Sequence, residues 1–169
     1  QTVRTAGDSF DEAITSYVRK KHNLLIGEIT AENVKKQIGS AYDYETDDSE
    51  DIEIRGRSMV DGLPKNVTIT SSEVREALSE PIGIIVEAIR STLEKTPPEL
   101  AADIMERGIT LTGGGALLRG IDRLIEEETG MPVTIAANPI DCVVLGTQRH
   151  LEKNESFDTY TYKRGRRFR

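Results

Sequence analysis

Apolar residues near the start of the chain recur with the spacing of an amphipathic helix. The pattern predicts a helix over residues 9–22, and Ser9 followed by Glu12 has the form of a capping box at its start. The apolar positions of this helix are Phe10, Ala13, Ile14, Tyr17 and Val18. A second helix is predicted over residues 30–38, capped by its first residue, a threonine, and ended by Gly39 in a left-handed conformation.

Alternating apolar and polar residues further along predict an antiparallel hairpin with one buried face. Its apolar positions are Ile52, Ile54, Val67 and Ile69, and Asp61-Gly62 is the turn signal between the strands. The segment from Asp43 to Glu53 holds seven acidic residues in eleven positions, which favours a solvated loop. Residues 9–70 are therefore expected to form a small helix-plus-hairpin unit.

Further helical patterns follow the predicted hairpin. Ser72 is expected to begin a short helical stretch. Pro81 suits the first position of a long core helix, which should stop before Pro97-Pro98. Another helix is predicted over residues 98–106, ended by Gly108.

The last third of the chain alternates strands and helices. An apolar strand over residues 109–112 leads into Gly113-Gly114-Gly115, and a core helix is expected directly after this triplet. The apolar positions of that helix are Leu117, Leu118, Ile121, Leu124 and Ile125. Gly130 should end it, a strand is predicted over residues 132–136, and a last helix over residues 139–152. This order of elements predicts an α/β fold.

Charge and composition narrow the classes of partner. The net charge of −7 argues against nucleic acid as a partner, because such surfaces need a dominant basic stripe. Five of the last seven residues are basic, and residues 153–169 are expected to be a flexible tail. A lone Cys142 and the lack of an apolar run of about 18 residues predict a cytoplasmic protein. Since Gln1 runs directly into a strand-like segment, the chain reads as part of a longer protein.

The triplet Gly113-Gly114-Gly115 is the first candidate binding motif. Glycines let a ligand approach the backbone closely, and the start of the following helix offers free N–H groups. Tight strand-to-helix turns also use glycine for packing, and the triplet is neither a Walker P-loop nor a GxGxxG motif. Spacing alone therefore leaves both the ligand role and the packing role open.

Glu32, Lys35 and Lys36 form the second candidate, because their spacing puts them on one polar side of a helix. The carboxylate could accept hydrogen bonds from the hydroxyls of a nucleotide, and the amines could donate. The alternative is an ordinary solvated face held by ion pairs. With two His and one Cys, and no nucleophile motif beside either histidine, neither a catalytic centre nor a metal site is predicted.

Several longer runs resemble the MreB and Mbl family of rod-shape proteins. These runs are Ala6-Gly7-Asp8-Ser9-Phe10-Asp11-Glu12-Ala13-Ile14, Ile26-Gly27-Glu28, Thr30-Ala31-Glu32, Gly62-Leu63-Pro64, Glu73-Val74-Arg75-Glu76-Ala77-Leu78, Glu94-Lys95-Thr96-Pro97-Pro98-Glu99-Leu100-Ala101-Ala102-Asp103-Ile104 and Leu111-Thr112-Gly113-Gly114-Gly115-Ala116-Leu117-Leu118-Arg119-Gly120. Together they extend over roughly residues 3–150, and the tail does not match.

The resemblance implies an actin-like ATPase fold of the ribonuclease H-like type, of which this chain supplies most of the second lobe. The implied parts are a larger subdomain of residues 1–8 and 76–145, a smaller outer subdomain of residues 9–75, and residues 146–169 as the end of the last helix with the basic tail. The family pattern places Gly113, Gly114 and Gly115 beside the adenosine. It places Glu32, Lys35 and Lys36 where relatives contact the adenine or ribose.

The resemblance also implies a parent that binds ATP with magnesium and self-associates into filaments. Such filaments would guide the cell-wall elongation machinery at the inner face of the membrane. The family's phosphate loops and its metal- and water-positioning residues lie upstream, so this chain alone is expected to be inactive as an ATPase. The alternatives are a lobe of an actin-fold chaperone or kinase, and an interaction module that scaffolds without nucleotide.

Overall fold

The computed structural model describes residues 1–44 and 50–153, without the side chain of Lys153. The helices are α1 (Gly7–His22), α2 (Glu28–Ile38), α3 (Ser71–Glu94), α4 (Pro98–Arg107), α5 (Ile121–Thr129) and α6 (Cys142–Lys153). The strands are β1 (Leu24–Leu25), β2 (Asp51–Ser58), β3 (Pro64–Thr70), β4 (Ile109–Leu111) and β5 (Val133–Ile135). Strands β1, β2 and β3 form an antiparallel sheet, and β4 and β5 form a parallel pair.

Two predicted segments fall partly or wholly outside the described residues. The centre of the acidic segment, residues 45–49, is one of them. The predicted flexible tail is the other, since Lys153 is its single described residue and ends α6. The prediction of a loop up to Glu53 is wrong at its end, because β2 already begins at Asp51 and continues the pairing of the sheet.

The predicted hairpin is confirmed, with β2 and β3 on either side of Asp61-Gly62. Ile52 pairs with Ile69, and Ile54 pairs with Val67. Alternate residues of a strand point to the same face of the sheet, so these four apolar residues share one face. Ile54 and Ile69 on this face are buried. Buried residues of α1, α2 and α3 share one core with this face.

Helix α1 is confirmed, but it begins earlier than its polar residues suggest. Its N-terminal capping residue is Ala6, and no described side chain caps it, so the predicted capping box of Ser9 and Glu12 is wrong. The start is set instead by a main-chain bond, since the Phe10 N–H donates to the Ala6 carbonyl at 3.2 Å. Its buried residues are Phe10, Ile14 and Val18.

Helix α2 is also confirmed, and it ends at Ile38 before Gly39 as predicted, but its predicted start and the predicted conformation of Gly39 are wrong. It begins after Gly27, whose carbonyl accepts from the Thr30 N–H at 3.0 Å, so Thr30 lies inside the first turn and does not cap it. Gly39 has a φ of −69°, which is not left-handed. It is needed for space, because a Cβ at this position would lie 2.2 Å from the carbonyl oxygen of Lys35.

One continuous helix, α3, replaces the two helices predicted around Pro81. It begins with a capping box in which the Thr70 hydroxyl accepts from the Glu73 N–H at 3.3 Å and the Glu73 carboxylate accepts from the Thr70 N–H at 3.0 Å. Pro81 removes one hydrogen bond inside a helix. The helix continues because buried residues on both sides of Pro81 anchor it to the core. These are Val74, Leu78, Ile82 and Val86.

The core helix predicted directly after the glycine triplet is wrong. Gly114–Leu117 form a short 3-10 helix, and Gly120 follows with a positive φ of +74°, so α5 begins at Ile121. Leu117 is 58% exposed as a result, whereas Leu118 is buried. The helix after Pro97 and its end at Gly108 are confirmed, and the last helix begins at Cys142 rather than at residue 139. No helix within residues 1–44 and 50–153 is long and apolar enough to cross a membrane.

A charged cluster ties the end of α1 to the beginning of α3. His22 Nε2 lies 3.0 Å from Glu73 Oε1, and Lys21 Nζ lies 3.3 Å from the same oxygen. Burial raises the pKa of Glu73, but the Thr70 N–H, Lys21 and His22 together outweigh burial and hold this pKa below its ordinary value. The ionised carboxylate therefore stabilises the junction of the two helices.

Acidification is expected to destabilise the chain through Glu73. Because the pKa of Glu73 is lower in the folded than in the unfolded chain, its contribution to stability is present above the ordinary value of 4.5 and is lost as the pH falls through the folded-state pKa. Urea unfolding from about pH 6 to about pH 3 measures this loss. Glu73→Gln should flatten the profile, whereas Glu80→Gln, at an exposed position of the same helix, should not. Parallel profiles for the native chain and Glu73→Gln would contradict the assignment.

Candidate nucleotide-binding site

One cavity brings the two candidate motifs together. It has a volume of about 730 Å³ and lies between the start of α1, the polar side of α2 and the segment after β4. Among the residues that line it are Asp11, Glu32, Lys35, Lys36, Gly114 and Gly115. Gly113 directly precedes the part of the triplet that lines the cavity. The fold thus places side chains of α2 opposite a loop some eighty positions later in the sequence.

Two glycines of the triplet, Gly114 and Gly115, present bare backbone to the cavity. An added Cβ at Gly113, Gly114 or Gly115 would meet no described atom within 4 Å. Packing therefore does not explain Gly114 and Gly115, and Gly113 is needed for its positive φ of +83°. The Gly113 N–H donates to the Pro139 carbonyl at 2.7 Å, which holds the start of the loop in place.

Two of the three candidate side chains on α2 form an exposed ion pair at the cavity. Lys36 Nζ lies 2.7 Å from Glu32 Oε1, and the side chains are 64% and 45% exposed. The hydrogen bond from Lys36 and its positive charge lower the pKa of Glu32. Glu32 therefore presents an ionised carboxylate, which accepts hydrogen bonds, beside a flexible ammonium group, which donates them.

Lys35 is less exposed than the other two candidate side chains of α2, although all three line the cavity. Its side chain is 15% exposed and turns toward α1, where Nζ lies 2.8 Å from Asp11 Oδ1 and donates to the Gly7 carbonyl at 3.1 Å. Asp11 was not predicted as part of the site, because 24 residues separate it from Lys35 in the sequence. A buried contact at that separation leaves no local spacing signal.

Arg119 connects the glycine side of the cavity to the end of α2. Its carbonyl accepts from the Ala41 N–H at 2.7 Å. Its guanidinium Nη1 lies 2.9 Å from both carboxylate oxygens of Glu50, and its guanidinium carbon lies 5.8 Å from the centre of the Tyr44 ring. The main-chain bond therefore joins the segment after the glycine loop to the segment after α2.

The chemistry of the cavity suits a nucleoside. Leu117 and Ile140, 58% and 65% exposed, offer apolar surface at its edge for a flat ring. Glu32 and Lys36 offer an acceptor and a donor for hydroxyl and ring atoms, and the glycines allow close approach of the ligand to the backbone. Across the described residues, no three His, Cys, Asp or Glu side chains are grouped so that they could hold a metal ion.

Comparison with known proteins identifies close relatives of the chain. The family model described as MreB/Mbl protein matches residues 1–159. The cell shape-determining protein MreB of Escherichia coli (strain K12) is 54% identical over 151 residues, which are 89% of this chain and 43% of that protein. The cell shape-determining protein Mbl of Bacillus cereus (strain ATCC 10987 / NRS 248) is 51% identical over 151 residues, 89% of this chain and 45% of that protein.

A solved structure gives the same assignment. The crystal structure of MreB5 of Spiroplasma citri bound to ADP matches with a TM-score of 0.86 and 41% sequence identity, over 91% of this chain and 47% of that one. The predicted actin-like fold is thereby confirmed. This chain spans less than half the length of the relatives that it matches. On the family match, the identities and the shared fold, the chain belongs to the MreB/Mbl family.

Proposed function

We propose that the chain forms the adenosine side of an ATP site in a cell shape-determining, actin-like filament protein. The observation that carries this proposal is the single cavity that joins Gly114 and Gly115 to the charged side of α2. A relative of the same fold, MreB5 of Spiroplasma citri, has been solved bound to ADP.

The residues at the cavity fit distinct parts of a nucleoside. Gly113 shapes the loop, while Gly114 and Gly115 let the ligand lie against the backbone. Glu32 accepts hydrogen bonds from ribose hydroxyls, and Lys36 donates to oxygen or ring nitrogen atoms. Lys35 offers a second ammonium group from a fixed position. We propose that magnesium binds with the phosphates of ATP, where the upstream portion of the protein completes the site.

The activity of the whole protein is part of the proposal. The curated relatives are named as cell shape-determining proteins. We propose that the whole protein self-associates into filaments in the cytoplasm, at the inner face of the membrane, and guides the cell-wall elongation machinery. ATP hydrolysis needs phosphates, metal and water held together, so the chain alone should not hydrolyse ATP.

We also propose a division of the chain into two subdomains. The smaller one would hold residues 9–75, with the antiparallel sheet. The larger one would hold residues 1–8 and 76–145, with the parallel strand pair. The cavity would then lie where the two meet, since α2 comes from the smaller part and the glycine loop from the larger.

Calorimetric titration of Mg·ATP into two proteins tests the proposed site. One is this chain alone, and the other, called the joined protein below, is this chain fused to the amino-terminal portion of MreB from Escherichia coli (strain K12). Binding that is tight in the joined protein and weak in the chain alone is expected, because the phosphates require the upstream portion. A folded joined protein that binds no ATP would overturn the nucleotide site and favour a scaffold.

A further inference from the structure

The contact between Asp11 and Lys35 lies in the wall of the cavity and is largely shielded from water. The two side chains are 14% and 15% exposed, and Lys35 Nζ lies 2.8 Å from one carboxylate oxygen and 3.0 Å from the other. The Gly7 carbonyl accepts from the same ammonium group at 3.1 Å. Lys35 is therefore held from α1 by a carboxylate and a carbonyl group.

This arrangement fixes the direction of the ammonium group. An ammonium group has three N–H donors, and two directions are taken by Asp11 and Gly7. Lys35 also lines the cavity, so the remaining direction is available to a ligand there. Lys36, the neighbouring lysine, is 64% exposed and is held by the exposed Glu32. Of these two lysines, Lys35 is the one whose position is set before a ligand arrives.

Stability alone is a weak reason for such a pair. Burying two charges costs desolvation energy, and well-packed apolar side chains often replace buried ion pairs without loss. Asp11 Oδ1 is fully buried and receives no directed hydrogen bond from the described residues. The positive charge of Lys35, 2.8 Å away, is the interaction that compensates this buried oxygen. An ion pair of this kind in a cavity wall is better explained if it holds the Lys35 ammonium group in position to donate to a ligand.

The charge of Asp11 also selects the kind of acceptor. Because the carboxylate compensates the charge of Lys35, the pair as a whole is neutral. It therefore attracts a phosphate group little, while its remaining N–H still forms a directed hydrogen bond. A neutral acceptor, such as a purine ring nitrogen or a ribose oxygen, fits this donor.

We propose that Asp11 is a positioning residue that holds Lys35 as a directed hydrogen-bond donor to the nucleoside part of the ligand. The inference rests on the proposed ATP site and adds to it a residue that acts through another. The two lysines of α2 then have different roles. Lys35 donates a hydrogen bond to the nucleoside from a fixed position, and Lys36 pairs with Glu32 at the surface.

The test compares three variants of the joined protein, Asp11→Asn, Lys35→Gln and the double variant that carries both. Each single change leaves one buried charge without its partner and should lower the melting temperature, whereas the double variant pairs two neutral amides and should recover much of it. Glu12→Gln removes the same charge from the next, exposed position of α1 and is the matched control. Affinities for Mg·ATP and for inorganic tripolyphosphate are measured for all of them.

Asp11→Asn should weaken ATP binding about tenfold, which is the size of one hydrogen bond from a charged group. The affinity of Asp11→Asn for tripolyphosphate should change less than about twofold. The affinities of Glu12→Gln for ATP and for tripolyphosphate should also change less than about twofold. The double variant should regain its melting temperature but not its affinity for ATP. The inference is overturned if affinity for ATP returns together with the melting temperature, or if tripolyphosphate loses as much affinity as ATP. Absence of ATP binding by the unmutated joined protein overturns the proposed site itself, and this inference with it.

Discussion

Replacing Gly108 by alanine is expected to lower the free energy of unfolding by about 3 kcal/mol or more. Gly108 has a φ of +76°, a conformation that costs alanine energy in any surroundings. The added Cβ would also lie 2.4 Å from the carbonyl oxygen of Pro132. That oxygen accepts the Ile109 N–H at 2.7 Å beside the parallel pairing of β4 and β5, so the strands must shift. Urea unfolding followed by circular dichroism measures the loss.

Gly113 provides the matched control for this substitution. Its φ of +83° and ψ of 173° lie close to the φ of +76° and ψ of −172° of Gly108, but a Cβ there would meet no described atom within 4 Å. Gly113→Ala therefore bears the conformational cost without the clash, and a loss of about 1 to 2 kcal/mol is expected. Equal losses for the two substitutions would show that the contact with Pro132 has no part in the effect.

Replacing Gly114 by leucine is expected to weaken ATP binding by the joined protein strongly while leaving its stability nearly unchanged. A Cβ at Gly114 meets no described atom within 4 Å, and the residue has no positive φ, so the folded chain can accept a side chain there. The leucine would extend from a segment that lines the cavity and fill space needed by the nucleoside. A loss in affinity of about 100-fold or more follows if the ring cannot reach the backbone. Calorimetric titration of Mg·ATP measures it.

Gly83→Leu controls for the added apolar surface. Gly83 lies on α3, away from this cavity, and a Cβ there also meets no described atom within 4 Å. This variant should bind ATP as the unmutated joined protein does. Unchanged binding by Gly114→Leu, with the protein folded, would mean that the nucleoside does not lie against the glycine loop.

Hydrophobic spacing was sufficient to predict the elements whose burial is decided locally. The hairpin follows from the alternation around Ile54 and Ile69, and α1 follows from the stripe that includes Ile14. The ends of elements were harder, because main-chain bonds can replace side-chain caps, as they do at Ala6. Pro81 misled the prediction of α3, since the packing that carries the helix through a proline comes from distant parts of the chain.

The candidate site was predicted as two separate motifs, and its assembly was not predictable from spacing. Nothing local in the sequence places Glu32 opposite Gly114, and that expectation came from the family resemblance. The inward turn of Lys35 was missed for a related reason, since a lysine at i+3 on a helix is equally suited to solvent and to a buried partner. Contacts across 24 residues, such as the one to Asp11, depend on the packing angle of two helices.

Helix α3 is shared between the two sheets of the molecule. Its buried residues from Val74 to Val86 belong to one core, which also holds Ile69 of the antiparallel sheet and packs against Ile109 of the parallel pair. Either sheet could open on its own only by unravelling a helix that the other needs, so the two halves are energetically coupled in unfolding. A weakness introduced on one side of the molecule should therefore lower the cooperative unfolding energy of both.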